Sequence, residues 1–492
     1  MFFTHVIFIF LFLPVFLVLY YLIPERFRNF LILAFSLFLV LWFDKILSVI
    51  LFFSICLNFY FGLLIVKKRK ILVLATGIIL NLGLLLLFKY HFLLYDILHL
   101  AAGIMPLPAS RFSSIIAFIL PVGISFYTFR AISYQVDVFR IKTEPEYNFI
   151  DFAAWFSFFP LLIAGPIARY TDLKSDLHSR KLSPKQMAGG AERFIFGLAK
   201  KVMIADTLGA SADRIFSVPA DHLSMPMAWL GVASYTLQIF FDFAGYTDMA
   251  IGLGMMLGFT IPENFNYPYI ARNIREFWKR WHMTLSLWLR DYIFLPVAYK
   301  LSGKWKKDIY FGIKTDNLLY TVATMITFII CGFWHGSSVN FVAWGIWYAL
   351  FMILEQVLLK RALHKLWIPL QHLYTILVVM GGWVLFRTAG PAQAIRFYER
   401  LFVYSTGSDS LTSYFSFFII NRETFMVLAV AAILSTPLLS NMKNRMLELS
   451  AGSRLSGIIF YLFHSVFLFS LFLFSLSYVT AQTYNPFIYF RF

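Results

Sequence analysis

Two histidines stand in tryptophan-rich runs of an otherwise oily chain: His282 in REFWKRWHMTLSLWLRD and His335 in ICGFWHGSSVN. A side chain able to carry charge at membrane depth costs roughly 2.5 to 3.5 kcal/mol on insertion scales, so such positions are usually kept for function. Imidazole also titrates near neutrality, which lets it take and return a proton within one reaction cycle. Cys331, Gly332, Phe333 and Trp334 precede His335, and Gly336, Ser337 and Ser338 follow it. Apolar walls with small residues between them predict room for a ligand beside an imidazole in its neutral form, the form a general base needs.

Other residues offer weaker chemistry. Cys331 lies one helical turn before His335, the spacing of a histidine-activated thiolate, although a buried structural cysteine explains it more simply. His91 and Asp96 have the HxxxxD spacing used by one class of glycerolipid acyltransferases, a match of only two residues. Asp242 and Asp248, in FFDFAGYTDMA, are intramembrane acids suited either to a polar passage or to local hydrogen bonding that breaks a helix. Gly254 and Gly258, in GMMLG, fit close helix packing better than phosphate binding. There is no Walker loop, zinc-ligand spacing or GxSxG elbow, which argues against ATP-driven transport, metallohydrolysis and serine-hydrolase chemistry. No metal and no bound cofactor are expected.

These residues must be positioned by membrane helices. Of 492 residues, 60% are hydrophobic and only 14% charged, which places the chain among polytopic membrane proteins. A spanning helix needs about 20 apolar residues. Such stretches run near 4–23, 46–66, 340–359, 367–386 and 457–480, with shorter or merged ones near 29–43, 71–105, 114–129, 151–167, 226–258, 319–333 and 424–440. The expectation is an all-α bundle of about ten to fourteen membrane segments, some re-entrant or interfacial, in one domain over 1–492. MFFTHVIFIF has no basic residue before its apolar run and no cleavage site after it, so the first segment is expected to remain as a helix. Cys56 and Cys331 give no disulfide framework.

The net charge of +17 is clustered. Arg26 with Arg28, then Lys67 to Lys70, mark cytoplasmic loops by the positive-inside tendency, and the basic stretches 169–201 and 272–314 fit the same face. Topology and anionic headgroups account for these charges, so the partner they imply is the lipid bilayer and not nucleic acid. Projected as one helix, 274–292 carries Phe277, Trp278, Trp281, Leu285, Trp288, Leu289 and Tyr292 on one side, with His282 on the seam. Arg275 and Lys279 share the histidine's stripe on that projection, and an anion such as coenzyme A, a phospholipid headgroup or an acidic sugar would be guided there.

Several longer runs carry a family resemblance. SFYTFRAISYQVDVFR (125–140), FFPLLIAGPIARY (158–170), FGLAKKVMIAD (196–206) and FFDFAGYTDMAIGLGMMLGFTIPENFNYPY (240–269) precede the two histidine runs, and GWVLFR (382–387) and the terminal YNPFIYFRF follow them. In order, they resemble the membrane-bound O-acyltransferase (MBOAT) family, in its branch of bacterial polysaccharide O-acetyltransferases of the alginate O-acetylase kind. The resemblance covers most of 120–390 and the last nine residues.

It implies tilted helices around a tunnel, with the catalytic histidine at His335 and the second active-site histidine at His282. Asp242, Asp248, Trp281, Trp334 and Asn340 become candidates for the tunnel lining, and Arg275, Lys279 and Arg280 for the donor side. It further implies a multi-pass protein of the bacterial cytoplasmic (inner) membrane and acetyl-CoA as acyl donor. The partners implied are a periplasmic SGNH-type acetyltransferase or esterase-like protein and an extracytoplasmic polysaccharide. Acyl transfer to teichoic acid, peptidoglycan or a lipid is the near alternative. Proton-coupled transport or polysaccharide export is the distant one, and no internal repeat supports it.

Overall fold

The computed structural model describes residues 3–43, 45–90, 123–310, 312–403, 422–450, 453–481 and 487. His91 and Asp96 lie outside them. Helices dominate, and the all-α expectation is modified among the described residues by one two-residue hairpin, Ile309–Tyr310 against Ile313–Lys314. Gly312 turns it at φ 76°.

Among the described residues, seven helices are long and apolar enough to cross a membrane: Glu25–Phe43, Ser48–Lys68, Ile71–Lys89, Thr315–His335, Val339–Lys365, Ile368–Arg387 and Leu455–Ala481. Arg422–Leu434 and Leu438–Ser450 make an eighth if their 61° bend is one broken span. The expected stretch at 151–167 is not a span. It divides into Phe149–Phe156 and Phe159–Leu162, the second opened by Pro160. The Leu455–Ala481 helix buries none of its most apolar window inside the protein, with Phe463 and Phe469 exposed, so only a lipid environment satisfies its surface.

Two compact units organise the described residues. One comprises Val6–Phe194 with Ala250–Pro262, and the other Met1–His5, Ile195–Met249 and Glu263–Phe492. In the first, Arg130 is almost wholly buried on the Ile124–Phe139 helix, and its guanidinium donates to the carbonyls of Trp155 at 3.2 Å and Leu161 at 3.4 Å. It thereby caps the two short helices near their C-terminal ends. The same unit contains the GMMLG glycines, and their packing role is a turn and not a helix crossing. Phe259 N donates to Gly254 O at 2.9 Å and Gly258 N to Met255 O at 3.0 Å, the Schellman pattern, with Gly258 at φ 83° where a side chain would be strained.

In the second unit the Thr315–His335 and Val339–Leu354 helices pack backbone to backbone. A Cβ on Gly332 would collide with the carbonyl oxygen of Phe341, and one on Gly345 with that of Phe328. Ser338 starts the second helix by accepting from Asn340 N at 3.3 Å. The small residues around His335 are therefore used to bring helices together, where the sequence suggested ligand space.

Candidate active site

The expectation of one helix over 274–292 fails at the histidine. Ile274–Arg280 and Met283–Leu289 are separate short helices, and between them Trp281 is extended while His282 sits at φ 43°, ψ 55°. A positive φ on a non-glycine residue is unusual and persists only where surrounding contacts hold it. Those contacts come from the 263–267 loop. Asn266 N donates to Arg280 O at 3.0 Å and Met283 N to Asn264 O at 2.9 Å, so the break is stitched from both sides.

Asn264 also sets the chemistry of the ring. Its Oδ1 accepts from Thr284 N at 3.3 Å and Thr284 Oγ1 at 2.9 Å, and it lies 3.0 Å from His282 Nδ1. A backbone N–H can only donate, so the shared atom is oxygen and Nδ1 must carry a proton. Burial pushes the His282 imidazole down to about 3, which keeps it neutral, and its lone pair therefore resides on Nε2. Phe243 packs edge-on at 4.7 Å between ring centroids. Phe487, near the C-terminus, packs in tilted contacts against Phe243 at 5.9 Å and Tyr246 at 4.9 Å.

His335 is held differently. It ends the Thr315–His335 helix within rings of Trp334 at 4.6 Å, Trp344 at 4.9 Å and Phe386 at 4.9 Å. Asn340 donates to Thr388 O at 2.9 Å, which ties the start of the next helix to the residue after Ile368–Arg387. A run of aromatic contacts joins the two histidine regions: Trp281 lies 4.9 Å from Trp383, Trp383 6.3 Å from Trp344, and Trp344 against His335.

The basic candidates divide. Arg275 donates to Gln356 Oε1 at 3.0 Å and lies over the Tyr320 ring, and Arg280 pairs with Glu276 at 2.9 Å and donates to Asn266 O at 3.1 Å. The helix break removes the stripe expected to join Arg275 and Lys279 to His282, so helical spacing places neither beside it. Lys279 is exposed. Asp242 and Asp248 do not break their helix, which is continuous over Met225–Met256. Asp242 pairs with buried Lys201 at 2.5 Å and Asp248 with Lys200 at 2.6 Å. Asp206 shares Lys201 at 2.7 Å, and both lysines belong to the π-helical turn Lys200–Ala205.

Two residues escaped the sequence reading. Asn264 is one of many polar loop residues, and only the fold brings it to His282. Glu355, buried at 6% exposure, accepts from Ile274 N at 2.7 Å and Arg275 N at 3.2 Å, so a carboxylate closes the N-terminus of the helix that leads to His282. The rule that singled out Asp242 applies equally to this acid in FMILEQVLL. In the other unit, His178 lies 3.0 Å from Glu146 and 3.8 Å from Asp151, using a different ring nitrogen for each. That arrangement suits an imidazole bridging two carboxylates better than a set of metal ligands, since one ring nitrogen binds a metal.

A neutral, tautomer-fixed imidazole and a second imidazole among aromatic rings are groups whose chemistry allows a proton to be taken and returned. Residues 84–368, both histidines included, match the model of the membrane-bound O-acyltransferase family. The chain belongs to this family. It is 40% identical over 413 residues to the probable alginate O-acetylase of Pseudomonas aeruginosa, covering 82% of this chain and 75% of the relative. The probable alginate O-acetylase of Pseudomonas putida is 34% identical over the whole of both chains. The peptidoglycan O-acetyltransferase of Helicobacter pylori is 32% identical, over 79% of this chain and 77% of the relative. This MBOAT protein is thus a multi-pass membrane acyltransferase.

Proposed function

We propose that this MBOAT protein takes an acetyl group from acetyl-CoA on the cytoplasmic side of the bacterial inner membrane and delivers it for O-acetylation of an extracytoplasmic polysaccharide, alginate or a similar polymer. A periplasmic SGNH-type acetyltransferase or esterase-like protein completes the transfer. The observation that carries this reading is the end-to-end similarity to a probable alginate O-acetylase. Peptidoglycan is the second acceptor, on the strength of the Helicobacter relative.

A thioester is already activated, so the enzyme needs to deprotonate the acceptor hydroxyl and stabilise the tetrahedral oxyanion. His335 takes the hydroxyl proton, the alkoxide attacks the thioester carbonyl, and collapse of the intermediate expels the coenzyme A thiolate, which recovers the proton. His282 has its Nδ1 proton committed to Asn264 and its lone pair on Nε2, which suits the handling of a proton better than donation to an oxyanion. Lys279, exposed beside two arginines that have protein partners, is the donor-side cation best able to meet a phosphate.

Donor competition tests the reading. Purified protein in nanodiscs should turn over labelled acetyl-CoA when the periplasmic partner is supplied, and a carrier protein loaded with D-alanine should not replace it. Turnover of the loaded carrier with none of acetyl-CoA would transfer the assignment to D-alanylation.

A further inference from the structure

Where the first apolar helix ends, two guanidiniums share one tyrosine. Cζ of Arg28 lies 5.6 Å and Cζ of Arg180 6.0 Å from the centroid of the Tyr20 ring, and Arg180 also lies 4.7 Å from the Phe259 ring. Tyr20 is fully buried and fixed by donating to Leu257 O at 2.7 Å. Arg180 is itself 7% exposed, and its Nη1 donates to Asp176 O at 3.1 Å. The acid paired with Arg28 is Glu25, 3.9 Å away and 63% exposed, which makes a weak, solvent-screened pair. Among the described residues no carboxylate lies within ion-pair distance of Arg180; Glu25 acts on it from further away and the Tyr20 side chain hydrogen-bonds it, while the buried Nε of neither arginine has a hydrogen-bond partner.

Two cations gathered at one aromatic ring repel each other. Ring contacts offset part of that cost but leave N–H donors unmet, and buried charge is ordinarily balanced by an opposite charge. Exposed Arg26 and Lys181 add positive charge next to these two residues in sequence, and Arg28, with 16% of its side chain exposed, gives access from outside.

We propose that Arg28 and Arg180 bind a phosphate-bearing anion. A tetrahedral phosphate offers several acceptor oxygens and up to two negative charges, enough to meet both guanidiniums at once. The charge pattern places the Arg26–Arg28 loop on the cytoplasmic face, where two sources of that group occur: the headgroup of an anionic phospholipid and the phosphates of a nucleotide-bearing acyl donor. The site stands whichever acyl donor the enzyme uses.

The experiment uses full-length protein in phosphatidylcholine nanodiscs, with phosphatidylglycerol added to the bilayer in one arm and free coenzyme A in solution in the other. Bound phosphatidylglycerol is counted by native mass spectrometry, labelled coenzyme A by equilibrium binding, and the melting temperature is followed in both arms. One probe should bind saturably and raise the wild-type melting temperature, and R28Q and R180Q should each weaken that binding at least tenfold. Lipid retention assigns the site to a headgroup, and coenzyme A binding assigns it to the donor. The proposal is overturned if neither probe binds or shifts the wild-type melting temperature, or if R28Q/R180Q binds as wild type does. Acetyl transfer is assayed separately, so failure of this site and failure of the acetyl-CoA reading remain distinguishable.

Discussion

His282 and His335 are both buried histidines beside tryptophan, yet the fold holds them by opposite means. His282 sits in a backbone break with a positive φ, clamped by its hydrogen bond to Asn264 Oδ1 and stitched to the 263–267 loop. His335 ends a long apolar helix and is confined by rings, with a glycine-mediated helix contact beneath it. A polar clamp fixes which nitrogen carries the proton. An aromatic cage fixes position and excludes water. In the proposed acyl transfer from a thioester, the surroundings of each histidine would supply one of these services.

The comparison breaks most readily at His335. His335→Ala should lower transfer by roughly 10²–10⁴-fold in protein that still folds, the loss expected when a general base is removed. Near-normal turnover in a folded variant removes the assignment. Next in size is Asn264→Ala, which leaves His282 in place but frees its tautomer. Loss of a buried hydrogen bond of about 1.5–3 kcal/mol predicts a fall in kcat of roughly tenfold to hundredfold with little change in KM. A change confined to KM would make Asn264 a binding residue instead.

The caged region should answer to volume where the clamped one answers to polarity. Gly332→Ala forces the Cβ against the Phe341 carbonyl and should cost about 1–3 kcal/mol of stability, read as a lower melting temperature. An unchanged melting temperature would show that the two helices separate freely there. The last effect concerns pH and accumulates only on acidification. His282 is held neutral to about pH 3, whereas in the unfolded chain it titrates near 6.5, so below about pH 6.5 the unfolded state binds a proton that the folded state refuses. Stability should be full above that pH and fall by up to about 1.4 kcal/mol per pH unit below it, until the pH nears 3. His282→Gln should flatten that limb, and an unaltered acid limb in the variant assigns it to other groups.

Much of this was legible in the chain. Hydropathy placed Ser48–Lys68, Ile368–Arg387 and Leu455–Ala481 within two residues, and the start of Val339–Lys365 within one, because a spanning helix is defined by length and apolarity alone. The same reasoning failed at 151–167 and 274–292, where an apolar or amphipathic pattern persists through a chain break. Pro160 gave a local signal for the first. Nothing local announces the second, since the turn at His282 is held by Asn264, a residue distant in sequence. Both histidines stood out by type and neighbours, whereas their partners did not. Asn264, Trp344 and Phe386 have ordinary compositions around them and reach the histidines only through tertiary packing. The acids at 242 and 248 were found by the cost of burying charge, but that cost is met by Lys201 and Lys200, whose match could not be read from spacing.

Under the proposed function, two differently held histidines move protons for acyl transfer from acetyl-CoA. The most direct test is single-turnover release of labelled acetyl from acetyl-CoA by nanodisc-embedded protein with its periplasmic partner, measured for wild type, His335→Ala and Asn264→Ala at several pH values. The account predicts rapid release by wild type, none above background for His335→Ala, and an intermediate rate with an altered pH profile for Asn264→Ala. Equal rates in all three folded proteins would contradict it.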